Sequence, residues 1–367
     1  MMGDTSKGTV TILNNAEVES LLDMGSCLEV IEEAYRQLGS NKAINRPRSH
    51  TYFPVESKSW PGFNYRFKSQ EGGVEKFGVW ALRITSDMAG FATLTGGVRR
   101  RKLLPAAAGE RYVGLIFLFD METTEPLAII QDSFIQKMRV GATSGIGLKY
   151  LAREDSQVLG LFGSGWQAEA HLEAICQLRK LRQVSVYSPT AQHRKKFAEV
   201  MTHKVDVEIR AVDRPDQVVK GADIVMAATA TVDPVFDGRL VEPGMHVGCI
   251  VASDKTQKRR ELDDEAIARC DLVVVTSREQ AEYDEQPDIY GAVEKGILSW
   301  ERIYELSELV VGKAPGRSDP KQVTLFNNNV GMGIQFAALG AKVLELAEKA
   351  GLGRKIPSDW FLEETSP

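Results

Sequence analysis

Hydrophobic and polar positions alternate most regularly in the middle of the chain. Ser156 to Phe162 is a short apolar run, Gly163 to Gly165 a turn, and Gln167 to Leu178 carries helical spacing. Val184 to Tyr187 is a second apolar run, followed by the polar Ser188-Pro189-Thr190 and a helical stretch from Gln192 to His203. Val207 to Ile209 then reads as a strand and Pro215 to Val219 as a short helix. Three more strands follow, at Ala222 to Ala228, Met245 to Val251 and Leu272 to Thr276. Strands alternating with helical segments predict parallel pairing through crossover connections, a doubly wound sheet over residues 139–321.

The pattern before this region is different. Ala16 to Gly39 has the apolar stripe of one amphipathic helix, through Leu21, Leu22, Cys27, Leu28, Ile31, Ala34, Tyr35 and Leu38. Strands are expected at Thr51 to Phe53, Val79 to Thr85 and Tyr112 to Phe119. A hairpin should join Leu115–Asp120 to Leu127–Ile130 across Met121 to Pro126. The glycine-rich, polar stretches Ser69 to Lys76 and Gly90 to Arg101 read as loops. The expectation is an α+β domain built from residues 1–138 with 322–367, its last helix running from Gly333 to Lys349 and returning to it.

Bulk properties narrow the class. A chain of 367 residues is long for one domain, and 43% hydrophobic with 26% charged residues is the balance of a globular protein with a real core. The formal charge of −5 argues against a nucleic-acid binder. Cys27, Cys176, Cys249 and Cys270 are scattered without a CxxC pair, and the histidines form no HExxH, so neither disulfides nor a metal site is expected. Met1 to Asn15 lacks the basic and apolar regions of a signal peptide, and no stretch is apolar enough to span a bilayer. A cytoplasmic protein is expected.

The turn after the first apolar run carries chemistry. Gly163-Ser164-Gly165-Trp166-Gln167-Ala168 follows a strand and opens a helix. Its first glycine permits the tight turn, and its second lets backbone approach a pyrophosphate. A small third residue lets the helix sit close to the sheet. This is the context of a Rossmann-type dinucleotide site, and NADP or NAD is the expected cofactor. The end of the second strand, Tyr187-Ser188-Pro189-Thr190, lacks the carboxylate that usually holds an NAD ribose. Cations follow at Arg194, Lys195 and Lys196, a pattern that leans towards NADP while leaving NAD open.

Three motifs in order give a more specific signal. Arg139-Val140-Gly141-Ala142-Thr143-Ser144-Gly145, the glycine turn, and Arg260-Glu261-Leu262-Asp263 together resemble the ornithine cyclodeaminase/mu-crystallin family. Asp120 to Ile130, Asp233-Pro234-Val235, Pro243 to His246 and Thr324 to Gly333 support the likeness, which runs from about Ile44 to Ala347. The resemblance implies a homodimer, with a substrate-binding and dimerisation domain beside an NAD(P) domain. It implies hydride transfer between nicotinamide and the α-carbon of a 2-amino or 2-imino carboxylate.

The same resemblance points to individual residues. An arginine opening the helix before the nucleotide domain corresponds to Arg139. An early arginine corresponds to Arg48, with Arg46 as the alternative. The lysine that the family carries in a following strand is matched by Arg83, with Lys68 a nearby candidate; both can hold a carboxylate, but only the lysine can readily titrate. The position facing the nicotinamide is Ser253 or Asp254: a small residue there implies a reductase, an aspartate the cyclodeaminase lyase chemistry. Phe336 stands where the family commonly has an aspartate, which would suit a less polar substrate side chain. Thr143, Ala228, Thr229 and Val251 complete the expected cofactor contacts with Gly163, Ser164, Gly165, Trp166, Gln167, Ser188, Thr190 and Arg194. The first reading is an NAD(P)H-dependent imine reductase or amino-acid dehydrogenase. An NAD-using ammonia-lyase and a non-catalytic NADP-dependent binding protein are the alternatives.

Overall fold

The computed structural model describes residues 8–55, 61–94, 97–103 and 113–363. The chain forms two compact units. One comprises Met1–Ala89, Lys102–Arg139 and Met332–Pro367; the other comprises Gly90–Arg101 and Val140–Gly331.

The first sheet is built from strands β1 (Thr9–Leu13), β2 (Ala43–Asn45), β3 (Ser49–Pro54), β4 (Asn64–Val74), β5 (Val79–Leu94), β6 (Gly97–Leu103), β7 (Val113–Asp120) and β8 (Pro126–Gln131); it belongs to the first unit apart from the end of β5 from Gly90 and β6 as far as Arg101. The sheet order is the C-terminal strand Arg354–Pro357, then β1, β8, β7, β5, β4 and β2, with β3 also on β4. Pairing is antiparallel except between β1 and β8. Helices α1 (Asn15–Leu21) and α2 (Met24–Gly39) and the C-terminal helix Gly333–Ala350 belong to this unit. The single helix expected over Ala16 to Gly39 is therefore two. Leu22 is extended, and Asp23 accepts from the Ser26 amide at 2.9 Å and starts a new helix.

Most of the described residues of both expected loops lie in strands. Residues 69–74 complete β4, because Gly72 serves close packing and not a turn: a Cβ there would lie 2.7 Å from the Ile44 carbonyl and 2.8 Å from the Ile334 amide. Within Gly90 to Arg101, β5 runs on to Leu94 and β6 returns along it, so cross-strand pairing overrides the local glycine signal. Tyr112 lies outside the described residues.

The second unit is the expected α/β layer. Strands β9 (Val158–Phe162), β10 (Gln183–Tyr187), β11 (Ile209–Ala211), β12 (Ile224–Ala227), β13 (His246–Cys249), β14 (Leu272–Val275), β15 (Ile303–Glu305) and β16 (Thr324–Asn327) are all parallel. They lie in the order β11-β10-β9-β12-β13-β16-β14-β15. Their apolar runs fill two cores. Leu159, Leu161, Val184 and Val186 pack with Leu172 and Phe197 on one face. Val225, Val247, Val273 and Leu325 pack with Ile267 and Leu298 on the other. The expected boundary at 321 left β16 outside this sheet. Its register between β13 and β14 carries the unit on to Gly331.

Candidate functional site

The direction of winding reverses between β9 and β12, and a crevice at the carboxyl ends of strands is where an open α/β sheet takes ligands. Gly163 sits there with φ +111°, and a Cβ would come within 2.3 Å of the Ala228 carbonyl, so only glycine fits. Gly165 precedes helix α4 (Trp166–Leu178) and offers no side-chain cap; nothing lies within 4 Å of where its Cβ would be. The first amides of α4 are thus available to an anion, with the helix dipole behind them. Ala168 is fully buried and lets α4 sit on the sheet, while the Trp166 ring is 46% exposed.

Around the turn, Ser164 Oγ donates to Ser188 Oγ at 2.8 Å, joining the ends of β9 and β10. Arg194, on helix α5 (Ala191–Val205), donates to the Ser188 carbonyl at 3.0 Å and to Asp213 at 2.5 Å, and lies 5.6 Å from the Tyr187 ring. Thr190 precedes α5 without capping it through its side chain. Thr143 is fully buried on α3 (Ser133–Leu151). The neighbouring Ser144 hydroxyl meets His171 Nε2 at 2.9 Å and accepts from Asn328 at 3.0 Å, connecting α3, α4 and the end of β16.

One residue absent from the predicted site organises this edge. Glu261 is wholly buried and accepts from the Thr229 amide and hydroxyl, each at 2.7 Å. It also accepts from the amides of Ile250 at 2.8 Å and Val251 at 2.9 Å. A single carboxylate therefore joins the segments that leave β12 and β13, next to Ala228, whose amide bonds Phe162. Burial pushes its pKa up, opposed by those hydrogen bonds. Its place in the Arg260–Asp263 motif was the available signal. Beside it, burial pushes Asp288 up to about 7, and Asp288 accepts from the Glu261 amide at 3.3 Å.

Ser253 and Asp254 are both engaged in shaping their loop. Ser253 Oγ donates to the Gln257 carbonyl at 3.0 Å and accepts from the Arg259 amide at 2.9 Å. Asp254 Oδ1 accepts from the amides of Thr256 and Gln257 at 3.0 and 2.8 Å, the bonding of a turn-forming aspartate.

The first unit collects most of the remaining candidates. Along β4 the buried alternate positions are Arg66, Lys68 and Gln70, paired in register with Asp87, Thr85 and Arg83 on β5. Arg66 holds Asp87 through two bonds of 2.8 Å with both side chains out of water. Arg83 donates to Asp132 at 2.5 Å and to Gln70 at 2.7 Å. Arg139, in the second turn of α3 instead of at its start, reaches the amide oxygens of Gln136 and Gln335 at 3.3 Å, and among the described residues it pairs with no carboxylate. Gln335 in turn donates to the Tyr35 hydroxyl at 2.8 Å. Burial, followed by repulsion from Arg83, pulls Arg139 down to about 9. Arg48 is buried and near enough to Arg139 to repel it as well. Arg46 is exposed and 3.7 Å from Glu71, outside the cluster.

Phe336 is fully enclosed, with the Arg83 and Arg139 guanidinium carbons 5.2 and 5.6 Å from its ring centroid. It supports two cations. The described residues contain no group of His, Cys, Asp and Glu suited to a metal, and none of the four cysteines forms a disulfide. Among the described residues no helix is long and apolar enough to cross a membrane.

A parallel sheet wound in this order, with a glycine turn at its reversal, defines a Rossmann-type dinucleotide-binding protein with a separate α+β unit. The family model for ornithine cyclodeaminase/mu-crystallin matches residues 81–350. A Δ1-pyrroline-2-carboxylate reductase of Bacillus cereus is 31% identical over 94% of this chain and 99% of its own. A Thermococcus litoralis Δ1-pyrroline-2-carboxylate reductase, solved with NADH and L-proline, is 29% identical. It covers 95% of this chain and 100% of its own, with a TM-score of 0.80. An archaeal alanine dehydrogenase dimer with bound NAD is 27% identical over 95% and 99%, with a TM-score of 0.79. The chain belongs to the ornithine cyclodeaminase/mu-crystallin family.

Proposed function

We propose that this protein reduces a 2-imino carboxylate, preferentially a cyclic one such as Δ1-pyrroline-2-carboxylate, with hydride from a reduced nicotinamide dinucleotide. It is an NAD(P)-dependent oxidoreductase of the imine-reductase and amino-acid-dehydrogenase type. The carrying observation is the positive excess on the buried face of the first unit. Arg48, Arg66, Lys68, Arg83 and Arg139 outnumber Asp87 and Asp132, and Arg139 has only amide oxygens as partners. A guanidinium stays protonated in a protein, so the downward pull on Arg139 expresses the cost of its charge in the free site. A substrate carboxylate relieves that cost through charge-assisted bonds. Lys68 is the buried amine of the cluster.

The glycine turn, the uncapped start of α4 and the Thr229 and Val251 backbone suit a dinucleotide, which supplies the hydride when bound. Gly163 and Gly165 admit the pyrophosphate, and Ser188, Thr190 and Arg194 lie at the adenosine end. The missing carboxylate after β10 favours NADP(H), with Arg194 meeting a 2′-phosphate in place of Asp213. The bonding of Ser253 and Asp254 supports a role in loop shape, and this favours reduction over lyase chemistry, which calls for a carboxylate at the reacting carbon.

A homodimer completes the reading. The outward face of the first unit's sheet carries Trp80, Leu82, Ile84, Leu115, Phe117 and Phe119 half-buried, with Phe67 and Val113 exposed. A solvated antiparallel face is normally polar, so an apolar one suits a second copy. Phe67→Glu is expected to weaken the dimer in sedimentation; an unchanged monomeric wild type removes the proposal. The activity test follows nicotinamide absorbance with Δ1-pyrroline-2-carboxylate, pyruvate with ammonia or methylamine, and ornithine, each with NADPH and NADH. Net oxidation with imino acids supports reduction. Ammonia release from ornithine alone, without net absorbance change, overturns it.

A further inference from the structure

Among the carboxylates of the first unit's buried face, Asp132 has an oxygen to spare. Asp87 has both oxygens engaged by Arg66. Asp132 gives Oδ2 to Arg83 at 2.5 Å, while its Oδ1 is buried and has no hydrogen-bond partner among the described residues. Thr85 Oγ1, buried on the same face as Arg83 and Lys68, also lacks a partner. Buried polar atoms are usually bonded, so these two, lying beside the cluster's cations, are available to a ligand's polar groups. One needs a donor and the other can give to an acceptor.

A 2-imino acid presents that pair of groups on adjacent carbons, a carboxylate and, when protonated, a cationic N–H. The cations, with Thr85, suit the carboxylate. Asp132 Oδ1 is then the acceptor left for the nitrogen. Resting on the function proposed above, we propose that Asp132 is a catalytic residue that binds the substrate nitrogen and keeps the imine protonated. The protonated C=N⁺–H group is the better hydride acceptor. Hydride adds to carbon, the C=N π electrons pass to nitrogen, and an amine bearing the original N–H results. Asp132 gives up no proton in that step, and no further reactant is needed. The Arg83 partner holds Oδ2 and leaves Oδ1 outside the pair.

The experiment compares wild type, Asp132→Asn and Asp132→Glu with Δ1-pyrroline-2-carboxylate across pH, and with its N-methyl iminium analogue, whose charge is permanent. Asp132→Asn is expected to lower kcat/KM for the protonatable imine about a hundredfold. In the pH profile of kcat, which reports the bound complex, it should also move the alkaline limb to lower pH by about one unit or more, because the charge favouring the iminium is gone. Asp132→Glu should keep the limb near its wild-type position. The N-methyl compound should show no alkaline limb with any variant. If Asp132 merely braces Arg83, stability falls in Asp132→Asn but the limb stays in place, and the proposal is overturned. Should Asp132→Asn fail to fold, Asp132→Ser, which keeps Arg83 and leaves room for a water beside it, is read the same way. Wild-type inactivity on every imino acid would instead sink the underlying functional reading.

Discussion

At the residue scale, the side chains that matter are those whose charge is not cancelled by the protein. Arg139 illustrates this: its partners are amide oxygens, its support is an aromatic ring, and its neighbours repel it. Phe336 gives up the neutralisation that an acid would provide and leaves the cluster ready for an anion. Arg194 is the opposite case, its charge matched by Asp213. Arg194→Ala is expected to raise KM for NADPH at least tenfold while changing KM for NADH little, since a 2′-phosphate bond to arginine is worth about 1.5–3 kcal/mol. Equal effects on both cofactors, read in steady-state kinetics, would count against the NADPH preference. None of this could be read from residue type alone. Arg46 and Arg48 are two positions apart, and only packing separates an exposed ion pair from a buried cation.

At the element scale, the nucleotide edge is held by bonds between strand ends. β12 and β13 stop at Ala227 and Cys249, and Glu261 takes up the amides that follow them. Glu261→Gln keeps the shape but presents an NH2 group to donors, leaving at least one buried amide unsatisfied at about 1–3 kcal/mol. NADH binding, measured by quenching of tryptophan fluorescence, is expected to weaken about tenfold or more. ADP-ribose, which lacks the nicotinamide, should be affected less. Equal loss for both ligands would mean that the staple supports the sheet as a whole. The glycine turn was legible in sequence because part of its requirement is local: Gly163 has φ +111°, and the turn sits between an apolar run and a helix. Gly72 was misread for the complementary reason. Its neighbours, Ile44 and Ile334, are remote in sequence.

At the scale of the whole molecule, stability should carry the signature of buried acid. Asp288 has its pKa raised by burial to about 7 from 3.8, so the folded protein holds a proton that the unfolded chain releases between those values. Stability contributed by that proton is full below pH 4 and is lost as pH rises through 7, at up to about 1.4 kcal/mol per unit. Asp288→Asn should flatten the fall in Tm between pH 4 and 7 relative to wild type. Parallel wild-type and variant curves would show that Asp288 is ionised throughout.

What the sequence determined by itself was whatever depends on neighbours along the chain. The alternation of apolar runs and helices yielded the parallel sheet, and the glycine turn yielded its ligand edge. The ordered motifs yielded the family. Tertiary structure decided the rest, because it depends on groups distant in sequence. It inserted β16 between β13 and β14, turned two glycine-rich stretches into strands, and gathered Arg83 and Asp132 into one pair. A charge cluster is a property of three-dimensional proximity in a medium that screens poorly, and no local pattern encodes it.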